Sequence, residues 1–366
     1  ILPFVLMLLK RRKSTKNLLT AKQFLIFEFY KKCTMFKIGI LGAGHIAEKM
    51  AATLDKMENA QAFAVGSRDL AKAEAFASKF GVTKAYGSYQ ELADAPEVEL
   101  IYVATPHTFH YPHVKMCLEK GKPVLCEKAF MANAREAREV ISISEEKGVF
   151  LSEAIWTRYL PFSKTIKEIV GSGAIGKPVM LTAHLGYPVS HKERLMRPEL
   201  GGGALLDLGV YTLNFALMYF GNDICEISSS CIKAETGVDI QETITLKYSD
   251  GKVAGLMATA LCANDRQGII NGDSGYIIVD NINNPLRADL YAKDHTLIKT
   301  YTAPEQITGF EYQVQACIEA INAGKTETEF MPHKESIRVM ELMDGLREKW
   351  GVIFPQDQTD LIFRDF

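Results

Sequence analysis

The sequence has almost no excess charge, no C-x-x-C pair and no long apolar run, and each shortage removes a class of function. Its 42 Lys+Arg residues face 44 Asp+Glu, a formal net charge of -2. Without a basic surplus to displace counterions, nucleic acid and anionic membrane are not expected as principal partners. The seven cysteines (Cys33, Cys117, Cys126, Cys225, Cys231, Cys262 and Cys317) are odd in number and never form C-x-x-C. Neither a disulfide framework nor a zinc ribbon is expected, and the usage points to a reducing, cytoplasmic compartment. The apolar run at 1–9 is far shorter than the ~20 residues of a spanning helix. Its basic cluster, Lys10-Arg11-Arg12-Lys13, follows the run, the reverse of a secretory signal. A nucleophile elbow of the G-x-S-x-G kind is missing as well.

What remains is an ordinary globular composition, 47% hydrophobic and 23% charged, in 366 residues, which is more than one core usually serves. Residues 1–34 precede Met35 and are expected to be an extension, not native or not part of the fold; the alternative is an amphipathic membrane-surface segment. Residues 35–155 alternate apolar strands (36–41, 61–67, 85–86, 100–105, 123–127, 150–153) with helices (through 54, then 69–80, 89–93, 111–119, 132–147). Such alternation predicts βαβ units and a doubly wound parallel sheet. Residues 156–366 change style. A helix at 162–171, a strand at 177–185 and a polar loop at 187–200 lead to Gly201-Gly202-Gly203 and a helix over 205–220. Seven short strands with turns such as Asp250-Gly251 then predict an open, mostly antiparallel sheet. Helices at 310–323 and 334–350 close an α+β domain suited to substrate binding and oligomerisation. No repeat is evident.

The first strand runs into Gly42-Ala43-Gly44-His45-Ile46-Ala47, a G-x-G-x-x-A turn into a helix. Gly42 permits the tight turn and Gly44 the close approach of a pyrophosphate. The free N–H groups from His45 and Ile46 onward attract its charge. A dinucleotide site follows, because the flanking strand and helix are present. The second strand ends at Ser67-Arg68 instead of the Asp or Glu that would bind a ribose 2′-OH. A hydroxyl and a guanidinium suit a 2′-phosphate, so NADP is the expected cofactor, with NAD open. Asp69 comes too late for that role and reads as a helix cap.

Two later strands end in polar groups at the same crevice: Thr105-Pro106-His107-Thr108-Phe109-His110, and Glu127-Lys128. Thr105, Pro106, His110 and Glu127 read as cofactor-site lining. Asp207 and Tyr211 share a helix face four residues apart. Lys128, Asp207 and Tyr211 together suit proton transfer during alcohol oxidation; the bland reading is a dipole-favoured Asp and a packed Tyr. Tyr111/Lys115 and Tyr248/Lys252 have the same spacing by accident. His107, His110 and His113 lack Cys or Glu companions, so no metal is expected.

Taken together, Gly42–Ala47, the 104–110 strand end, the stretch 121–129 and the stretch 201–211 resemble the glucose–fructose oxidoreductase and inositol dehydrogenase family (Gfo/Idh/MocA). Within it, the chain is most similar to the branch of dimeric dihydrodiol dehydrogenases and NADP-dependent D-xylose dehydrogenases, through 153–158, Tyr211, 235–239, 309–312 and 350–355. The resemblance implies a dehydrogenase that transfers a hydride between NADP and a sugar, polyol or trans-dihydrodiol. It implies Lys128 as active-site lysine, Asp207 and Tyr211 as its partners, and Trp156 and Arg158 near the cofactor. It also implies a homodimer or larger homo-oligomer through the second domain's sheet. Ala129 stands where the family usually has proline, which predicts a less rigid Lys128 and reduced activity. The alternative expectation is a non-catalytic NADP-binding sensor or regulatory protein.

Overall fold

In the computed structural model, which describes residues 35–358, the expected extension at 1–34 lies outside the described residues. Six parallel strands form the first sheet: β1 (Phe36–Leu41), β2 (Ala60–Gly66), β3 (Lys84–Tyr86), β4 (Leu100–Val103), β5 (Val124–Glu127) and β6 (Leu151–Ala154). Their order is β3-β2-β1-β4-β5-β6, and the reversal between β1 and β4 opens a crevice at the strand carboxyl ends. Helices α1 (His45–Leu54), α2 (Leu70–Phe80), α3 (Tyr89–Asp94), α4 (His110–Glu119) and α5 (Ala134–Lys147) make the crossovers. On β1, Ile38 and Ile40 pack into one core and Leu41 into another, so both faces of the sheet are covered, as a parallel sheet requires.

The second sheet holds β7 (Pro178–Gly186), β8 (Ile224–Lys233), β9 (Asp239–Tyr248), β10 (Val253–Thr259), β11 (Gly268–Gly272), β12 (Gly275–Val279), β13 (Arg287–Ala292) and β14 (Leu297–Thr302). Their order is β14-β13-β12-β11-β7-β10-β9-β8. All pairs are antiparallel except β10 with β7. Between β7 and β8 the chain crosses through α7 (Val210–Phe220), which covers the inner face together with α6 (Pro161–Gly171). Every α7 side chain except Met218 and Tyr219 is buried, which explains why this helix is apolar on all sides.

Two features differ from the sequence expectation. The helix expected over 205–220 begins as a wide π-turn, Leu205–Gly209, before α7. Asp239 from β9 accepts the Leu205 N–H at 2.6 Å, and the Glu242 carboxyl fills the place of a side chain at Gly209, where a Cβ would lie 2.5 Å from Oε1. No local pattern carries that information. The chain also returns to its first domain: α8 (Glu311–Asn322) packs Val314, Cys317 and Ile318 with Phe36, Ile38 and Met50. The change of pattern near residue 155 marks a change of topology, and the first core continues beyond it. Helix α9 (His333–Trp350) is the last long helix, followed only by a short turn at Pro355–Asp357 within the described residues.

Several acids are buried in this frame. Glu153 on β6 is 1% exposed; burial pushes its carboxyl up to about 7, although Ser336 donates to it at 2.8 Å. Burial likewise lifts Glu136 to about 7 and Asp239 to about 6. An acid whose folded pKa is raised keeps a proton that the unfolded chain has released. From these groups, stability therefore falls as pH rises from about 4, the unfolded value, through the folded values. Glu153→Gln is permanently neutral and should raise the thermal midpoint at pH 8 by about 2–4 °C per kcal/mol gained, with the gain shrinking as pH falls and vanishing below about pH 4. A difference independent of pH would show that Glu153 does not titrate with folding.

Candidate active site

The residues around the glycine turn form a cradle. Gly42 has φ +103°, and a Cβ there would meet the Ala104 carbonyl at 3.0 Å, so this position needs glycine. Gly44 has nothing within 4 Å of a would-be Cβ. That open space lies at the start of α1, where no side chain caps the helix, leaving its first N–H groups for an anion. At the end of β2, Ser67 is buried, and the Arg68 guanidinium carbon lies 5.9 Å from the Phe109 ring centroid. Asp69 caps α2 as expected, accepting from Ala71 N at 2.9 Å. The residues therefore fit a dinucleotide with an extra phosphate on its adenosine side.

Lys128, at the end of β5, reaches across to the π-turn. Its Nζ donates to the Asp207 carbonyl at 2.7 Å and to Oδ1 at 3.3 Å. It also stands 4.8 Å from the centroid of the Tyr211 ring, a cation over an aromatic face. The Tyr211 hydroxyl accepts the indole N–H of Trp156 at 3.2 Å. That bond occupies a lone pair of the phenol oxygen, and the phenol's own proton has no acceptor among the described residues. On its other side Asp207 is clasped by Arg194, whose Nη2 lies 3.1 Å from Oδ1 and 3.2 Å from Oδ2.

Burial opposes every charge here, and the partners decide the outcome. Burial works against the Asp207 carboxylate, but Lys128 and Arg194 outweigh it and hold its pKa well below the usual range. Burial also pulls Lys128 down; Asp207, Tyr211 and Glu127 overcome it, so the ammonium is favoured beyond the ordinary lysine. Tyr211 goes the other way. Burial raises its pKa and Lys128 recovers only part of the shift, so the resting group is a neutral phenol. Lysine depresses the phenol as the sequence suggested, but does not set the net direction.

The other expected residues take supporting places. Glu127 accepts from the buried Tyr102 hydroxyl and from Lys128 N, behind the lysine. His110 directs Nε2 at the Thr105 carbonyl at 2.8 Å and Nδ1 at those of Ala129 and Phe130 at 3.0 and 3.1 Å, tying two strand ends together. Thr105 Oγ1 lies 3.1 Å from His113, and Pro106 precedes a short turn at His107–Phe109. His107, kept neutral by burial with a pKa of about 3, meets the Gly201 carbonyl at 2.9 Å. Arg158 is not brought to the cluster: it bonds Asn214 and Glu335 inside the second domain. The peptide bond from Lys128 to Ala129 is cis, and Ala129 is fully buried. Among the described residues no group of three or more His, Cys, Asp or Glu could hold a metal.

Sequence alone does not reveal the Arg194–Asp207 contact, the Tyr102 hydroxyl on Glu127 or the Trp156–Tyr211 bond. These contacts join residues from 13 to 55 positions apart, beyond any periodicity.

A nucleotide cradle at a Rossmann crevice, where Lys128 of the first domain meets Asp207 and Tyr211 of the second, defines a nicotinamide-dependent oxidoreductase. Residues 36–155 match the oxidoreductase family with an NAD-binding Rossmann fold, and residues 163–278 match the GFO/IDH/MocA C-terminal domain. The chain belongs to the GFO/IDH/MocA family, and it is a dehydrogenase of that family. It is 35% identical over 335 residues to trans-1,2-dihydrobenzene-1,2-diol dehydrogenase of Mus musculus, covering 87% of this chain and 98% of that protein. Against the Homo sapiens enzyme of the same name it is 34% identical over 332 residues, with the same coverage. Among solved structures it superposes on a 3-ketoreductase from Actinomadura kijaniata, in complex with NADP and TDP-benzene, with a TM-score of 0.79 at 23% identity, covering 86% of this chain and 97% of that one. An aldose-aldose oxidoreductase from Caulobacter crescentus gives 0.78 at 20% identity, with the same coverage. Both structures share the fold.

Proposed function

We propose that the protein is an NADP-dependent dehydrogenase that oxidises a secondary hydroxyl of a sugar, polyol or trans-dihydrodiol, or reduces the corresponding carbonyl. The observation that carries this reading is the phenol of Tyr211, fixed by Trp156 with its proton unspent and lying beneath the Lys128 ammonium. Curated relatives that act on trans-dihydrodiols, similar over nearly their whole length, support the substrate class. When bound, the nicotinamide supplies the hydride acceptor or donor. Tyr211 exchanges the proton of the substrate hydroxyl, acting as an acid toward a carbonyl and as a base toward an alcohol. Lys128 stabilises negative charge on the phenol or substrate oxygen, and Asp207 holds Lys128 charged and in place. A sensor role without catalysis is supported only by Ala129 in the usual proline's place, and the complete proton-transfer set opposes it.

Arg68 and Ser67 support NADP over NAD: a guanidinium and a hydroxyl suit a phosphate, whereas a ribose diol calls for a carboxylate. The six described cysteines are unpaired, which supports a reducing, cytoplasmic setting. Apolar side chains on the outer face of the second sheet support a homodimer. Met180 and Met257 are 47% and 46% exposed, Ile269 pairs with Ile278, and Tyr276 stacks on Tyr291 at 4.9 Å. Such a face calls for a covering partner.

Three measurements test these points. Tyr211→Phe should bind NADPH as the wild type does and lose turnover by about 100-fold or more; near-normal turnover would remove Tyr211 from the chemistry. Fluorescence titration should show NADPH binding tighter than NADH, with Arg68→Ala weakening NADPH about tenfold or more and sparing NADH; equal loss for both would reject a phosphate role for Arg68. Light scattering after gel filtration should give about twice the 40.7 kDa chain mass, reduced to one chain by Met257→Lys. A monomeric wild type would refute the sheet interface.

A further inference from the structure

We propose that Arg194 determines specificity for a vicinal diol: it binds the substrate's second, non-reacting hydroxyl while Tyr211 and Lys128 engage the first. This deepens the proposed function and rests on it. Arg194 shares the Asp207 carboxylate with Lys128, but on the solvent side. Its side chain is 43% exposed, against 13% for both Lys128 and Asp207. Only Nη2 is occupied, by the two oxygens of Asp207. Nε and Nη1 have no partner among the described residues. A guanidinium is a planar fork with five donors. One prong fixed on a carboxylate leaves the other edge preorganised for an oxygen acceptor.

The position is built into the fold. Arg194 lies on a short turn, Glu193–Met196, anchored by the fully buried Leu195, whose carbonyl accepts from Gly203 N at 2.9 Å. Gly202 permits the approach: a Cβ there would lie 2.6 Å from the Leu195 oxygen and 2.9 Å from that of Arg194. The adjoining chain is pinned over the first sheet, because Thr108 donates to the Glu199 carbonyl at 2.8 Å and His107 meets Gly201. The nearby Arg197 is committed to Glu193 and Glu199, at 3.0 and 3.6 Å. Arg194 is thus held beside the reacting groups with an open donor edge. In a vicinal diol the second oxygen sits on the carbon next to the one that bears the first, and the single Asp207 carboxylate links the two cations that would receive the pair. A site built to bond a hydroxyl discriminates strongly against an analogue that lacks it.

The test compares trans-1,2-cyclohexanediol with cyclohexanol, using wild type, Arg194→Met and Arg194→Lys, with NADPH titration and thermal midpoint as controls for folding. Wild type should favour the diol in kcat/KM by about tenfold or more. Arg194→Met should bring that ratio to within about threefold of unity with NADPH affinity unchanged, and Arg194→Lys should restore part of it. Disturbance of Asp207 alone lowers both substrates alike, so an unchanged ratio in Arg194→Met would overturn the proposal. A wild type that binds NADPH but turns over neither compound would instead overturn the proposed function. The Arg194 assignment is then read from calorimetric binding of the diol to the NADP-loaded protein, where Arg194→Met must weaken it about tenfold and equal affinity refutes it.

Discussion

The contact on which the site depends is the buried ion pair between Lys128 and Asp207. One partner ends a strand of the first domain and the other lies in a turn of the second, 79 residues later. Both are 13% exposed, so either charge alone would be poorly solvated, and breaking such a pair leaves an uncompensated buried charge. The pair therefore also fixes how the second domain meets the crevice. Placing the ammonium there brings it over the Tyr211 ring, so the proposed proton transfer and the domain placement share one set of atoms.

Around that pair the fold uses glycine for two opposite purposes. At Gly44 the missing side chain leaves open space beside a bare helix end, which is what a phosphate group needs. At Gly202 and Gly209 the missing side chain admits protein: the backbone carrying Arg194 in the first case and the Glu242 carboxyl in the second. The glycine-rich stretches look alike as sequence, yet one makes room for a ligand and the other lets the site close on itself.

A ring of buried acids completes the frame. Asp239 supports the π-turn, Glu127 stands behind Lys128, and Glu153 joins β6 to α9. Burial raises the pKa of each. Asp207 is the exception, because only it lies between two cations. The contrast separates a carboxyl that must stay ionised at the site from carboxyls that act as hydrogen-bonding structural groups.

Much of this protein was determined by local sequence. The strand–helix alternation from Phe36, the glycine turn, the Asp69 cap and the polar strand ends at Thr105 and Lys128 follow from periodicity and side-chain chemistry, which act over a few residues and survive into the fold. Ser67-Arg68 and the Asp207/Tyr211 spacing were legible for the same reason. Tertiary structure decided the rest. The Trp156 bond that orients the phenol, the Arg194 clasp on Asp207, the carboxyls that shape the π-turn and the return of α8 to the first sheet all join distant residues. Arg158 shows the limit most plainly: the family resemblance implied a place near the cofactor, and in the fold it donates to Asn214 and Glu335. A side chain's neighbours along the chain indicate what it is able to do, whereas the groups that fold against it select its bonds and its charge.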